Sequence, residues 1–331
     1  MLGWDILNYL KKWRTNLRAT FIAMCGLCIS CGAEITTDTS SEILSDRQIP
    51  IGISTVAVPE YGAETTRGLI ANATYQLGLF RTGDKGYPPQ YDAPYTYTAT
   101  GWTASTEVKV DHREVSLYAY YPYQSVSFVD NTTTAVLNAQ LYSADKDMCY
   151  GKGLPVGSAS MINNDAPEVE FTAMKHAYAR LKLTLLRGTN YDKSKACNIK
   201  NITLKSNNTD FYPQRHLDIT TAAGATEGTA VTTGYVYNPN VSIAIGGQSS
   251  YDFLLPPQPL AGNTLTVLVT VDDEVRFLNI AGLGSSLDAG SYYNVSLTIT
   301  DIQMVLTDAL TVNDYGTQGN TNFDYKYEMH N

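Results

Sequence analysis

The chain has 331 residues and a formal net charge of −9. The basic residues Lys11, Lys12, Arg14 and Arg18 stand near its start, and the remainder from Cys31 onward carries 19 basic and 31 acidic residues, a net charge of −12. No basic cluster is left in that remainder, which excludes the electrostatic surface of a nucleic-acid-binding protein. The 24 tyrosines against 8 phenylalanines, with 25 glycines, favour strands and turns over helices.

The first 30 residues have the layout of a secretory signal peptide. A basic segment precedes a short apolar run from Ala19 to Ile29, too short for a permanent membrane-spanning helix. The following Ser30-Cys31-Gly32 resembles the lipobox of bacterial lipoproteins, in which the cysteine is diacylated, although Cys28 stands where leucine is common. We expect a signal peptide at 1–30 and lipidation of Cys31, with a soluble secreted protein as the alternative.

A polar tether and a first strand follow the signal peptide. Residues 31–47 are rich in serine, threonine and acidic side chains and lack apolar alternation, which predicts a flexible segment. The stretch 48–58 is apolar and β-branched, and the residues from Pro59 to Gly62 break it. This pattern is typical of a strand with a turn after it.

Further short strands are predicted along the rest of the chain, with turn residues between them and no helical periodicity. They are expected at 74–80, 114–123, 125–129, 168–186, 199–206, 234–238, 241–245, 250–258, 265–271, 274–280 and 292–299. The length exceeds what one hydrophobic core usually covers. We therefore expect two tandem antiparallel β-sandwiches at 48–170 and 171–300, and a C-terminal tail at 301–331.

Few residues suggest a catalytic or metal-binding function. The four histidines lack the spacing of a metal motif, so we expect no metal and no cofactor. Cys149 and Cys197 are interpreted as two buried free thiols, with a disulfide between them as the alternative. His176 is expected to be structural, since no nucleophile or orienting partner stands near it in sequence. The acidic run Asp272-Asp273-Glu274 fits a hairpin turn better than a glycosidase site, and we expect no enzyme activity.

Several ordered segments resemble the fimbrillin superfamily of Bacteroidetes, the subunits of type V pili and their relatives. These segments are LYAYYPY at 117–123, DMCYGKG at 147–153, FTAMKHAYARLKLTL at 171–185, LLPPQPL at 254–260, LTVLVTV at 265–271 and LDAGSYYNVSLTI at 287–299. The resemblance runs from about 49 to 299. It implies an all-β chain of two Greek-key, transthyretin-like sandwiches behind a lipoprotein signal peptide.

The resemblance also implies assembly by strand exchange. A protease cuts such subunits after an arginine, the first strand leaves, and a C-terminal strand of a neighbour fills the groove. Arg67 is the favoured cleavage site and Arg47 the alternative, because a cut after Arg67 would detach the first strand. The detached apolar side chains would be Ile49, Ile51, Ile53 and Val56.

The tail contains two candidate donor segments, 302–312 and 320–329. Their apolar and aromatic residues are Met304, Leu306, Leu310, Val312, Phe323, Tyr325 and Tyr327. Residues sharing one face of a strand are spaced by two, as Phe323, Tyr325 and Tyr327 are. The alternative for 302–312 is that it forms the last strand of its own sandwich.

The sequence therefore predicts a structural pilus subunit, most consistent with a stalk, that supports adhesion. Its partners would be other pilus subunits, the outer membrane through the lipid anchor before processing, and a host or bacterial surface ligand. It would reside in the outer membrane and then in the surface fimbrium. The alternatives are an anchor or tip subunit, or a monomeric glycan-binding surface lipoprotein in which Trp102 stacks on sugars.

Overall fold

The computed structural model describes residues 47–59, 67–69, 75–207, 210–221, 223–308, 310–314 and 321–322. Secondary structure in these ranges consists of β-strands and one 3-10 turn at Ala261–Asn263. The strands up to position 171 are β1 (Ile49–Pro50), β2 (Gly52–Pro59), β3 (Arg67–Leu69), β4 (Gln76–Arg81), β5 (Gln90–Thr98), β6 (Gly101–Thr103), β7 (Lys109–Val110), β8 (Leu117–Tyr121), β9 (Ser127–Phe128), β10 (Thr134–Asn138), β11 (Gln140–Leu141), β12 (Cys149–Lys152), β13 (Leu154–Pro155) and β14 (Glu168–Phe171).

The strands after that position are β15 (Lys175–His176), β16 (Ala179–Arg187), β17 (Asn198–Ser206), β18 (Phe211–Asp218), β19 (Ala225–Val231), β20 (Tyr235–Tyr237), β21 (Val241–Ser242), β22 (Gln248–Leu255), β23 (Gln258–Pro259), β24 (Thr264–Val271), β25 (Glu274–Ala281), β26 (Ser286–Leu287), β27 (Ser291–Ile299), β28 (Met304–Leu306), β29 (Thr311–Asp314) and β30 (Thr321–Asn322). The all-β fold class predicted from composition is confirmed.

Two sheets enclose an N-terminal core. Their strand orders are β15-β12-β8-β4-β5-β6 and β13-β14-β2-β3, and β1 pairs separately with β7. Side chains of both sheets, among them Leu79, Leu117, Val169 and Phe171, form one buried cluster. This arrangement is a β-sandwich, in which the inner faces of two sheets share one core.

Two further sheets enclose a C-terminal core. One has the order β11-β22-β16-β27-β29-β30 with β28 also on β27, and the other has the order β20-β17-β24-β25 with β21 on β17. The alternation predicted for β16 and β27 is confirmed, since the inward residues of both strands are buried. These residues are Leu181, Leu183, Leu185, Tyr293, Val295, Leu297 and Ile299.

A third cluster lies on the opposite face of the β4-containing sheet. Leu79 and Ala119 belong to the N-terminal core, whereas their neighbours Phe80 and Tyr120 pack into this third cluster. The sheet β19-β18-β10-β9 covers it with side chains that include Leu137. The β4-containing sheet is therefore buried on both faces along β4 and β8.

The expectation of antiparallel pairing throughout is corrected at two places. Strand β2 pairs with β14 in parallel, and β16 pairs with β27 in parallel. Hairpins force antiparallel pairing, but strands joined by long connections can run either way. Both parallel pairs join strands that are distant in the sequence.

The single strand predicted at 168–186 is also corrected, because it forms β14, β15 and β16. Phe171 lies in the N-terminal core and Leu181 in the C-terminal core, so the chain changes sheets between them. The division into sandwiches at 48–170 and 171–300 stays a prediction. Strand β10 pairs with β18 and β11 with β22, so strands of the first half complete sheets of the second.

Candidate assembly site

The first strand lies in the N-terminal sandwich and has partners on both sides. Strand β2 pairs in parallel with β14 and antiparallel with β3, while β1 pairs antiparallel with β7. The backbone N–H of Ile51 donates to the carbonyl of Val108 at 2.9 Å, and that of Gly52 donates to the carbonyl of Pro167 at 3.1 Å. The segment 49–59 is therefore hydrogen-bonded along most of its length.

The predicted apolar residues of this strand face the core. Ile51, Ile53 and Val56 are 6%, 7% and 1% exposed, and Ile49 packs against the same cluster. The buried side chains are two residues apart from Ile51 to Ile53 but three apart from Ile53 to Val56. This change coincides with a register shift against β14, where Val169 pairs with Ile53 and Glu170 pairs with Thr55. An extra residue in one strand moves the following side chains to the other face, which brings Val56 inward.

The groove that holds the first strand has apolar walls on both sides. Val169 and Phe171 of β14 and Val108 and Val110 at β7 are fully buried in the same cluster as the strand. Withdrawal of segment 49–59 would expose these side chains to water. Because burial of an aliphatic side chain contributes about 1.5–3 kcal/mol, these contacts stabilise the first strand in its groove.

Sequence reasoning missed one wall of this groove. Val108 and Val110 lie in a charged stretch that gave no strand prediction, although their spacing of two was a signal for a shared face. Asp111 follows them and is 6% exposed. Its carboxylate accepts hydrogen bonds from the Tyr87 hydroxyl at 2.8 Å and from the Arg113 guanidinium at 2.6 Å.

These contacts hold the loop after β7 in place. The hydrogen bonds from Arg113, together with that from Tyr87, keep the pKa of Asp111 well below its ordinary value. Arg81 adds a hydrogen bond from its guanidinium to the carbonyl of Lys109. The strand that pairs with β1 is thus anchored by side chains outside the first strand.

The two predicted cleavage sites differ in structure. Arg47 is exposed, and its carbonyl accepts a hydrogen bond from the Asn164 amide at 3.2 Å. Arg67 was expected in a polar turn, which is corrected: it begins β3 and pairs with Pro59. Strand β3 is an edge strand of three residues, so few backbone hydrogen bonds hold the backbone around Arg67.

The predicted donor segment 302–312 packs on its own sandwich. Strands β28 and β29 both pair with β27, and Met304 and Leu310 are 2% and 1% exposed in the C-terminal core. Leu306 and Val312 pack partly buried against that core. This is the arrangement that the alternative interpretation expected. The donor residues Phe323, Tyr325 and Tyr327 lie outside the described residues, as does Cys31.

The two cysteines and the histidine considered for a catalytic or disulfide role are buried in the cores. Cys149 and Cys197 are buried free thiols in separate cores, as the preferred interpretation predicted. His176 is 3% exposed, and its Nδ1 lies 2.9 Å from an Asp147 oxygen and 3.3 Å from the Cys149 sulfur. Because one ring nitrogen faces both groups inside the protein, this trio does not have the geometry of a nucleophile, base and orienting acid.

The acidic run forms a hairpin turn, as predicted. Asp272 and Asp273 have φ of 48° and 74° between β24 and β25, as a two-residue type I′ turn requires. The carboxylate of Asp272 accepts hydrogen bonds from the Tyr191 hydroxyl and the Asn198 backbone. Among the described residues, no group of three or more metal-ligating side chains could hold a metal ion.

A family model described as fimbrillin-like matches residues 53–314 of the chain. The chain belongs to the fimbrillin-like family. A search of curated proteins finds no significant match. In the part of this fimbrillin-like protein that the structure describes, no helix is long and apolar enough to cross a bilayer.

Solved structures share the fold of this fimbrillin-like protein. A candidate cell adhesion protein of Bacteroides uniformis is similar with a TM-score of 0.53 and 15% identity, over 80% of this chain and 99% of that one. A candidate cell adhesion protein of Bacteroides ovatus is similar with a TM-score of 0.51 and 16% identity, over 82% and 100%. These similarities support the β-sandwich fold over most of the chain.

Proposed function

We propose that this fimbrillin-like protein is a fimbrial subunit that polymerises by strand exchange and supports adhesion. It is exported with its signal peptide, lipidated at Cys31 and carried to the outer membrane. A protease then cuts after Arg67, the first strand leaves, and a strand of a neighbouring subunit takes its place. Family membership and the adhesion proteins with the same fold support the fimbrial part of this proposal.

The observation that carries the proposal is the burial of the first strand in its apolar groove. Segment 49–59 contributes four buried side chains and pairs on both sides, yet its only covalent link to the strands that follow it is residues 60–66. A cut after Arg67 leaves it held by noncovalent contacts alone. An unpaired sheet edge with an apolar groove beside it recruits another strand or aggregates.

The position of Arg67 favours it over Arg47 as the processing site. A cut after Arg47 would leave the first strand attached to its sheet. A cut after Arg67 lies in a three-residue strand at the edge of its sheet. Only the second cut frees the groove.

The burial of Met304 and Leu310 bears on which segment of the tail acts as the donor strand. If segment 302–312 left β27, two core side chains of its own sandwich would become exposed, and a Met or Leu removed from a core costs about 2–5 kcal/mol. A donor beyond Asp314, with Phe323, Tyr325 and Tyr327 on one face, avoids this cost. We therefore favour the segment 320–329.

The test is limited digestion of the chain from Gly32 onward with an arginine-directed protease, followed by intact mass and light scattering. We expect a cut after Arg67 and then SDS-resistant ladders. Arg67→Gln should prevent the ladders, whereas the matched change Arg47→Gln should not. A chain ending at Asp314 should be cut normally but fail to form ladders if the donor is 320–329.

A different outcome would contradict polymerisation. If the chain is cut after Arg67 and stays monomeric, strand exchange does not occur between copies of it. An anchor or tip subunit, or a monomeric glycan-binding lipoprotein, would then explain the family membership. Trp102 gives the last alternative little support, because its ring is half-buried and lies edge-on to Tyr97 at 5.3 Å.

A further inference from the structure

A polar cleft of about 370 Å³ lies where the β4-containing sheet meets β9 and β10. Its lining residues include Asp92, Tyr120, Ser125, Phe128 and Tyr178. Its size is at the lower end of the range for small-molecule pockets in proteins. It lies away from the first strand, since none of its lining residues belongs to β1, β2 or β14.

The backbone places Asp92 in this cleft by a local irregularity. The pairing of β4 with β5 shifts register between Leu79 and Arg81, and Asp92 opposite this shift has φ of 50°. Gly78 is required on the neighbouring strand, because a Cβ there would overlap both the Tyr120 ring and the Asp92 carboxylate. Bulges of this kind redirect a side chain out of the regular pleat.

The Asp92 carboxylate has one hydrogen-bond donor and no cationic partner among the described residues. It accepts a hydrogen bond from the Tyr120 hydroxyl at 2.9 Å and forms no ion pair with any described residue. Burial raises its pKa above the ordinary value, which the hydrogen bond from Tyr120 only partly offsets. No lysine or arginine lines the cleft, so the carboxylate offers its free acceptor positions to whatever enters.

Two hydroxyls in the same cleft have hydrogen-bonding capacity that no described residue uses. Tyr178 is 1% exposed, and its hydroxyl accepts hydrogen bonds from the Asn138 backbone and the Gln140 amide at 3.3 and 3.4 Å. Its own proton has no acceptor among the described residues. The Ser125 hydroxyl oxygen is buried and has no hydrogen-bond partner there either. Buried polar groups are nearly always hydrogen-bonded, so orphaned ones at a cleft wall indicate a ligand or water.

Aromatic faces complete the wall. The Phe128 ring lies 4.8 Å from the Tyr120 ring and 4.7 Å from the Phe80 ring, and it lines the cleft in a half-buried position. A ligand for this site needs hydroxyl groups that both donate and accept, an apolar face, and no negative charge, which Asp92 would repel. A neutral sugar has all three properties.

We propose that this cleft binds one neutral sugar residue of a glycan. Asp92 accepts hydrogen bonds from sugar hydroxyls, Tyr178 and Ser125 donate to sugar oxygens, and Phe128 packs against the C–H face. The site is independent of strand exchange and would give the subunit a ligand of its own. No sequence pattern predicted this site, because its residues come from separate strands.

The test is saturation-transfer NMR of the full chain with a panel of hexoses, 6-deoxyhexoses and N-acetylhexosamines. We expect at least one sugar to receive saturation. Asp92→Asn and Tyr178→Phe should each weaken its binding roughly tenfold, since each removes a hydrogen bond to the ligand without changing shape. Tyr235→Phe is the matched control, because it removes a tyrosine hydroxyl outside the cleft and should not change binding.

Circular dichroism and thermal unfolding of each variant separate loss of the site from loss of the fold. Two results would overturn the proposal. One is that no sugar of the panel receives saturation from the folded wild-type chain. The other is that the sugar binds equally well to the wild type and to both folded cleft variants.

Discussion

At the scale of single residues, both halves of the described structure contain a tyrosine in contact with two arginines and one aspartate. Tyr87 lies between Arg81 and Arg113, with guanidinium carbons 5.0 and 4.4 Å from its ring centroid. Tyr191 lies between Arg187 and Arg276 at 5.1 and 5.5 Å; these three residues are all buried. Each tyrosine hydroxyl donates to an aspartate, Asp111 or Asp272, that also accepts backbone N–H groups.

The first prediction concerns these hydroxyls. Tyr87→Phe and Tyr191→Phe should each lower the free energy of unfolding by about 1–2 kcal/mol, because a hydrogen bond to a charged acceptor is lost. Chemical denaturation monitored by fluorescence measures the change. Tyr97→Phe is the matched control, since no hydrogen bond of that hydroxyl is found in the described structure. A loss of equal size in the control would argue against a specific role for the two hydroxyls.

The second prediction concerns pH. The depressed pKa of Asp111 means that the folded state favours the carboxylate, so its stabilising effect is present above the unfolded pKa of about 3.9. It is lost as the pH falls below that value toward the folded pKa. Wild-type stability should therefore decrease in acid, and Asp111→Asn should be less stable at neutral pH with a flatter acid dependence.

Urea denaturation at a series of pH values measures this dependence. Asp130→Asn changes an exposed aspartate in a loop and serves as the control. If Asp111→Asn and the wild type lose stability in parallel as the pH falls, Asp111 does not contribute to acid unfolding.

At the scale of elements, the first strand and its groove have different fates in the proposed assembly. The strand is discarded after the cut, whereas β14 stays and receives the donor. Side chains of β2 and β14 are equally part of the resting core, since Ile53 is 7% exposed and Phe171 is fully buried. Substitutions in β2 and in β14 should nevertheless differ in their effect on assembly.

The third prediction follows from this difference. Ile53→Ala and Phe171→Ala should both destabilise the uncut protein, by about 2–5 kcal/mol each. After cleavage, Ile53→Ala should form ladders at least as fast as the wild type, because its first strand leaves more easily. Phe171→Ala should form fewer ladders, because the groove that receives the donor has lost a large apolar contact. Gel densitometry over time compares them, and equal behaviour of the two variants would contradict strand replacement at this groove.

At the scale of the whole molecule, the three core clusters are connected. The third cluster contains Phe80 and Tyr120 from the first half and Leu217 and Leu254 from the second. Two strands of the first half also pair with strands of the second. Unfolding of one sandwich would therefore expose apolar surface and unpaired strand edges of the other.

The fourth prediction is that the two sandwiches unfold together. Cys149 in the N-terminal core and Cys197 in the C-terminal core are buried, and burial raises the pKa of both thiols, which makes them unreactive in the folded state. Pulsed thiol labelling across a urea series, with peptide mapping of each cysteine, should give the same midpoint for both. Well-separated midpoints would show that the sandwiches unfold independently.

Sequence patterns located the strands whose inward residues alternate or whose ends carry turn residues. The β16 and β27 alternation and the Asp272-Asp273 turn depend on local geometry, which neighbouring residues determine. Strands β5 and β18 escaped prediction because each contains a proline and polar residues, Pro94 and Pro213 among them. Their strand form is imposed by the sheets beside them, and β propensity is strongly dependent on such context.

The sequence by itself determined the all-β class, the apolar first strand and the family resemblance, because composition, periodicity and ordered motifs are properties of the chain alone. Only the tertiary structure decided that β2 runs parallel to β14, that Met304 and Leu310 return to their own core, and that Asp92 and Tyr178 line the same cleft. The first and the third depend on segments far apart in the chain, and the second depends on the core that β27 and the sheet opposite it already form. Such pairing follows from how sheets stack and bury their faces, which no local pattern encodes.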